Sequence, residues 1–182
     1  TLWNLKMMSI AFFLKQMDAV IWRGPLKMGV IKQFLRDVEW GELDYLIVDC
    51  PPGTGDEPLS VAQLLVNPSG AVVVTTPQDV ATSAVKRSAS FCNQLKMKVL
   101  GIVENMSGYV CPDCGHKVDL FGKEGGKMLA EATDSELLAS IPLSAEMVPA
   151  GDSGRPVALN KDSKIGKIYR ELANRIDSKL EG

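Results

Sequence analysis

The chain's most reactive side chains fall in two short strings, and each string suits a different chemistry. The first, Cys111-Pro112-Asp113-Cys114-Gly115, holds two thiols in one tight turn, so both sulfurs can face a single metal centre. Two thiolates make half a site, because structural zinc and common iron–sulfur clusters take four protein ligands. Cys50 and Cys92 lie elsewhere, in contexts that read as buried and distant. The economical completion is a twofold axis bringing the same turn from a second copy, which predicts a homodimer with a shared, accessible site at its interface. Three other readings stay open: a redox-active dithiol, zinc on the same thiolates with His116 replacing one of them, and a turn that binds nothing. Gly115 speaks against the dithiol, whose usual setting is the start of a helix after a strand.

The second string runs Asp44-Tyr45-Leu46-Ile47-Val48-Asp49-Cys50-Pro51-Pro52-Gly53-Thr54-Gly55-Asp56. It reads as a buried strand ending in an acid and a rigid turn. An acid at the carboxyl end of a parallel strand sits where such sheets bind ligands, and in nucleotide hydrolases it holds magnesium. Pro51 and Pro52 fix the path of the backbone beyond them, while Gly53 leaves room for a terminal phosphate to approach the main-chain amide. The plainer alternative is a strand that ends in a Pro-Pro-Gly turn, with Asp49 capping the next segment.

The elements that must position these strings are set by apolar patterning. Short apolar runs alternate with stretches of helical period, the pattern of an α/β fold with a mostly parallel sheet and helices on both faces. Strands are expected at Met8–Leu14, Tyr45–Asp49, Ala71–Thr75, Val99–Glu104 and Leu137–Ile141. Helices are expected at Leu26–Val38, after an N-cap at Asp56, at Thr82–Leu95 and at Lys161–Leu180. Val30, Ile31, Phe34, Leu35 and Val38 form the inward face of the first helix. Ile165, Ile168, Leu172, Ile176 and Leu180 form that of the last, and Cys92 reads as a small buried residue. The segment 107–123 breaks the rhythm and reads as a small metal-binding excursion from a single domain spanning 1–182.

Composition sets the class. The chain has 182 residues, 46% of them apolar, which suffices for one substantial core. A formal charge of −2 provides no basic footprint, so neither nucleic acid nor an anionic membrane is expected as a partner. No apolar run reaches the roughly 18 residues of a spanning helix, and four cysteines without a disulfide framework fit a reducing cytoplasm.

These strings, with Asp18-Ala19-Val20-Ile21-Trp22-Arg23-Gly24-Pro25, Val38-Glu39-Trp40-Gly41-Glu42-Leu43-Asp44, Val74-Thr75-Thr76-Pro77-Gln78 and Gly101-Ile102-Val103-Glu104-Asn105-Met106-Ser107-Gly108, resemble the Mrp/ApbC (Nbp35-like) iron–sulfur cluster carriers, which are MinD-like P-loop ATPases. The resemblance covers nearly the whole chain. It implies an ATP- and magnesium-dependent dimer that holds a labile 4Fe-4S cluster between two Cys-Pro-x-Cys turns and passes it to apo iron–sulfur proteins. Asp49 would then be the Walker B acid, Gly53 the switch II amide, and Cys111 and Cys114 the cluster ligands. Asn105 would read adenine and Pro142 would lie along the base, although Asn105 could also simply close a strand. Trp22 and Arg23 match the family with no chemistry assigned beyond packing or an interface. A MinD-like regulatory or partitioning ATPase with structural zinc at its dimer interface is the alternative.

One departure stands out. Gly-x-x-x-x-Gly-Lys-Ser/Thr does not occur, and the chain reads as N-terminally truncated relative to the family, so very weak or absent ATP hydrolysis is expected of it as it stands. Gly122-Lys123-Glu124-Gly125-Gly126-Lys127-Met128 has the wrong glycine spacing and no hydroxyl. It reads instead as a glycine-rich helix start with Met128 and Leu129 facing inward.

Overall fold

The structure, a computed structural model, describes residues 3–14 and 24–181. They fall into two compact units, Thr1–Asn67 and Pro68–Gly182. Asp18–Arg23, and with them Trp22 and Arg23, lie outside the described residues.

In the first unit a 3-10 turn at Ile10–Phe13 precedes helices α1 (Gly24–Arg36) and α2 (Asp56–Leu64). Val30, Ile31, Phe34, Leu35 and Val38 are all among the partly covered positions of α1 and its C-terminal extension, so the predicted face is the packed one. α1 packs on α2, and Lys27 Nζ donates to Glu57 Oε1 at 2.5 Å. The N-cap of α2 is Gly55 rather than Asp56, which enters the first turn with Glu57, where both acids meet the helix's positive end.

Neither strand expected in this unit forms. Met8–Leu14 contains the 3-10 turn, and Tyr45–Asp49 carries no ladder, with Ile47 88% exposed. An extended apolar run becomes a strand only when a neighbour takes up its backbone N–H and C=O groups. No described strand pairs with 45–49, so its composition alone does not make it one.

The second unit carries the sheet. Its order is β1 (Ala71–Thr75), α3 (Asp79–Gln94), β2 (Val99–Val110), β3 (Lys117–Val118), α4 (Gly125–Ala132), β4 (Leu137–Leu143), α5 (Met147–Asp152) and α6 (Lys164–Glu181). β1 and β4 each run parallel to β2, pairing through Val103 to Val74 and to Ala139 respectively. Because β2 pairs with both over the same residues, they occupy its opposite edges. β3 pairs antiparallel with Tyr109 and Val110 while Tyr109 also faces Leu143, so β3 lies on the β1 side, beyond the end of β1.

Strand alternation sends successive side chains to opposite faces, which builds two cores. Val73, Ile102, Leu129 and Ala130 form one beneath α3 and α4. Val103, Leu138, Ile141, Val157 and Ile165 form the other, with Ile168, Leu172 and Ile176 of α6 packed on it as the periodicity requires. Cys92 is buried, as expected of a small apolar residue, and burial raises its thiol pKa. Arg175 closes part of the β4 edge by donating Nη1–H to Leu138 O at 2.7 Å. Met128 departs from its expected inward position and is 52% exposed, because the short α4 turns Leu129 and Ala130 to the sheet instead.

Leu138 is 1% exposed. Leu138→Ala is expected to lower unfolding free energy by about 2–5 kcal/mol in urea titration. Val80→Ala, at an 85% exposed position, should stay within about 0.5 kcal/mol of the parent.

Candidate functional site

The cysteine pair occupies a β-hairpin connection. β2 runs past the end of its parallel partner β1, and its last residues, Tyr109 and Val110, pair with Val118 and Lys117. Residues 111–116 form the tip. Cys111 N donates to His116 O and Gly115 N donates back to Cys111 O, both at 2.9 Å, which folds the loop tightly around the two thiols. At the foot of the hairpin, Asp119 accepts from Lys123 at 3.0 Å and lies 3.6 Å from Lys117 Nζ. The lysines, Lys123 foremost, hold the Asp119 carboxyl below its ordinary pKa.

Cys111 is half-exposed and Cys114 exposed, so both are open to a ligand from outside. The Cys114 and then the Asp113 backbone, followed by the Cys114 thiol, bear on the Cys111 sulfur. Together they pull the Cys111 pKa below that of a free thiol. Thiolate is the form that binds metal. Among the described residues no group of three or more His, Cys, Asp or Glu side chains converges, so His116 does not join the two thiols in a three-ligand set.

Asn105 and Pro142 are brought together on adjacent strands. Asn105 pairs with Ile141, which places Pro142 one residue further along β4, inside a strand that continues to Leu143 rather than just after it. The register breaks between Asn105 and Tyr109, where β2 spends more residues than β4. Such a bulge accommodates proline, which has no N–H to give to a ladder. Asn105 Oδ1 accepts from Met106 N at 2.9 Å, next to the left-handed Met106 at φ 57°. Its second lone pair and its NH₂ group remain donor and acceptor capacity beyond this local bond.

In the first unit, Asp49 and Gly53 share one exposed turn that leads into α2. Gly53 has φ +101°, a conformation L side chains rarely adopt, and nothing lies within 4 Å of where a Cβ would sit. The turn therefore requires glycine for its backbone path and leaves its amide approachable.

Glu104 was not singled out by motif, although an acid within an apolar strand is a signal. It is 5% exposed and accepts from Gly126 N at 2.6 Å, at the start of α4. The glycine pair has a packing reason: a Cβ on Gly125 would lie 2.3 Å from Pro77 O, and one on Gly126 would lie 2.6 Å from Glu104 Cβ. The glycines of 122–128 serve close helix-to-sheet approach rather than a phosphate cradle.

A mostly parallel sheet flanked by helices is the architecture of the nucleotide-binding α/β proteins. Solved structures agree. The MinD cell division ATPase of Pyrococcus furiosus superposes with a TM-score of 0.64 at 22% identity, covering 88% of this chain and 63% of that one. The nucleotide-binding protein of Archaeoglobus fulgidus, solved with ADP, gives 0.63 at 44% identity over 71% of this chain and 53% of its own. The fold is thus that of the P-loop NTPases related to MinD.

A family model described as "ParA: NUBPL iron-transfer P-loop NTPase" matches residues 1–177, and the chain belongs to this family. Among its relatives, the iron–sulfur cluster carrier protein of Methanocaldococcus jannaschii is 45% identical over 98% of this chain and 62% of its own length. The cytosolic Fe-S cluster assembly factor NUBP1 homolog of Caenorhabditis elegans is 45% identical over 97% of this chain and 59% of its own. The chain thus spans about three-fifths of the curated relatives it matches.

Alkylation of Cys111 by iodoacetamide, followed by peptide mass spectrometry, should inflect at a pH below that of an unperturbed thiol. Cys92 should stay unmodified in the folded chain across the same window, since burial raises its pKa. An inflection for Cys111 at or above the ordinary thiol value would contradict the hydrogen bonds aimed at its sulfur.

Proposed function

We propose that this chain is the cluster-holding part of an iron–sulfur cluster carrier. Two copies present their Cys111 and Cys114 thiolates to one 4Fe-4S cluster, four ligands in all, and the cluster is cargo handed on to apo-proteins. The observation that carries the reading is the hairpin tip. Its two thiols are accessible, one is held toward the thiolate form, and the whole turn stands clear of both apolar cores. The names of relatives at 45% identity support the same cargo.

A labile cluster needs few and exposed ligands. A site closed by four thiolates of one chain would bind more permanently, whereas one split across a twofold axis loosens whenever the two halves part. Dimer geometry then becomes the control point for release.

In members of the family's full length, ATP binding and hydrolysis would supply that control through different affinities for two dimer arrangements. In this reading Asp49 holds magnesium, the Gly53 amide senses the terminal phosphate, and Asn105 with Pro142 receives the adenine. The pairing of Asn105 with Ile141, next to Pro142, supports the last assignment. The names of the relatives favour a cytosolic setting.

Anaerobic reconstitution with iron and sulfide should give a brown protein with about two cysteines per chain committed to one cluster per dimer. The Cys111→Ala, Cys114→Ala double variant should lose cluster and cluster-dependent dimerisation together. Equal iron in variant and parent would overturn the site. A colourless dimer with stoichiometric zinc would favour a MinD-like regulatory ATPase with a structural metal instead.

A further inference from the structure

The strand that leads to the cysteines passes through Glu104 and stays paired with β4 as far as Tyr109, and the chain comes back to the sheet where Gly125 and Gly126 open α4 against Glu104. Glu104 lies in the middle strand, between Thr75 of β1 and Ser140 of β4, with its carboxylate turned to the face that α4 covers. Among the described residues it is the one charged side chain that is buried. That carboxylate accepts the Gly126 N–H at 2.6 Å, across 22 residues of sequence. A buried carboxylate at a helix's N-terminal amides is favoured by the orphan donors and by the helix dipole.

The return limb is pressed onto the same place. A Cβ on Gly122 would lie 3.7 Å from Pro77 O, and those on Gly125 and Gly126 would overlap Pro77 and Glu104 outright. No side chain can intervene, so the contact is a backbone-to-side-chain lock with little slack. The hairpin it closes has little order of its own. Only two residue pairs, Tyr109 with Val118 and Val110 with Lys117, join its limbs; the outgoing limb is also held to β4 through Tyr109 and Leu143, whereas among the described residues no further ladder ties the return limb to the sheet.

We propose that Glu104 is a positioning residue for the cysteine turn: its carboxylate clasps the end of the hairpin's return limb through the Gly126 amide and holds Cys111 and Cys114 at a set orientation to the sheet. A ligand shared between two copies needs both turns in fixed places, since freedom in either must be frozen on assembly and weakens the shared hold. This consequence rests on the cluster reading above, whereas the clasp itself does not.

The test separates reach from charge. Glu104→Asp keeps the charge but withdraws the carboxylate by one methylene, whereas Glu104→Gln keeps an acceptor oxygen at the same reach. Amide hydrogen exchange of the metal-free protein provides the first readout. In E104D the amides of Gly126, Cys111 and Gly115 should exchange about tenfold faster, the cost of one lost buried hydrogen bond. The Ile102 amide, bonded to Glu136 O at 2.8 Å, should not change, and E104Q should behave like the parent.

In reconstituted protein, chelator extraction of iron should be correspondingly faster for E104D and near the parent rate for E104Q. Unchanged exchange at Cys111 in E104D, an equal rise at Ile102, or E104Q behaving like E104D would overturn the clasp. A parent chain that takes up no iron yet shows the expected exchange pattern would sink the cluster reading and leave the clasp standing.

Discussion

Every described pairing of the 68–182 unit passes through one strand. β2 is hydrogen-bonded on one edge to β1 and then to β3, and on the other edge to β4. Its N-terminal half is a core strand: Ile102 is fully buried and Val103 nearly so, each facing a different helical layer. Its C-terminal half is the outgoing limb of the cysteine hairpin. A rigid, doubly packed strand and an accessible two-cysteine tip are therefore the same covalent segment. The constraint explains why the turn can be exposed without being adrift.

The change of character along β2 occurs at Glu104, Asn105 and Met106. An acid turns toward α4, an amide faces the carboxyl end of the sheet, and a left-handed residue breaks the register with β4. Each departs from what a buried parallel strand prefers, and departures of that kind gather where function is built. The residues proposed for base binding and for holding the cysteine turn are consecutive. Movement of this short stretch would be felt at both places.

The thiol pair illustrates how accessibility and reactivity are tuned separately. Exposure comes from the hairpin's reach beyond β1, while the lowered pKa of Cys111 comes from the backbone and a thiol of its own turn. Cys92 shows the opposite arrangement, buried on the inner face of α3 with its pKa raised and no access. Two identical side chains thus take opposite roles from their surroundings alone.

Much was legible from local pattern. Helical period located the packed faces of α1 and α6, and apolar runs located β1, the start of β2 and β4, because each depends on neighbours within a few residues. Local pattern failed where partners are distant. Residues 45–49 have a strand's composition but form no ladder, since pairing needs a second chain segment in register. Met128 and Leu129 were equivalent by sequence, and only the docking of α4 on Ile102 and Val73 decided which turned inward. The glycines at 125 and 126 have the look of a failed phosphate loop in sequence, and only the closeness of Pro77 and Glu104 gives them their packing role. Residue type and spacing determined which groups could do chemistry. Tertiary packing decided which are held, which are exposed and which face one another, because those depend on distances that no short stretch of chain specifies.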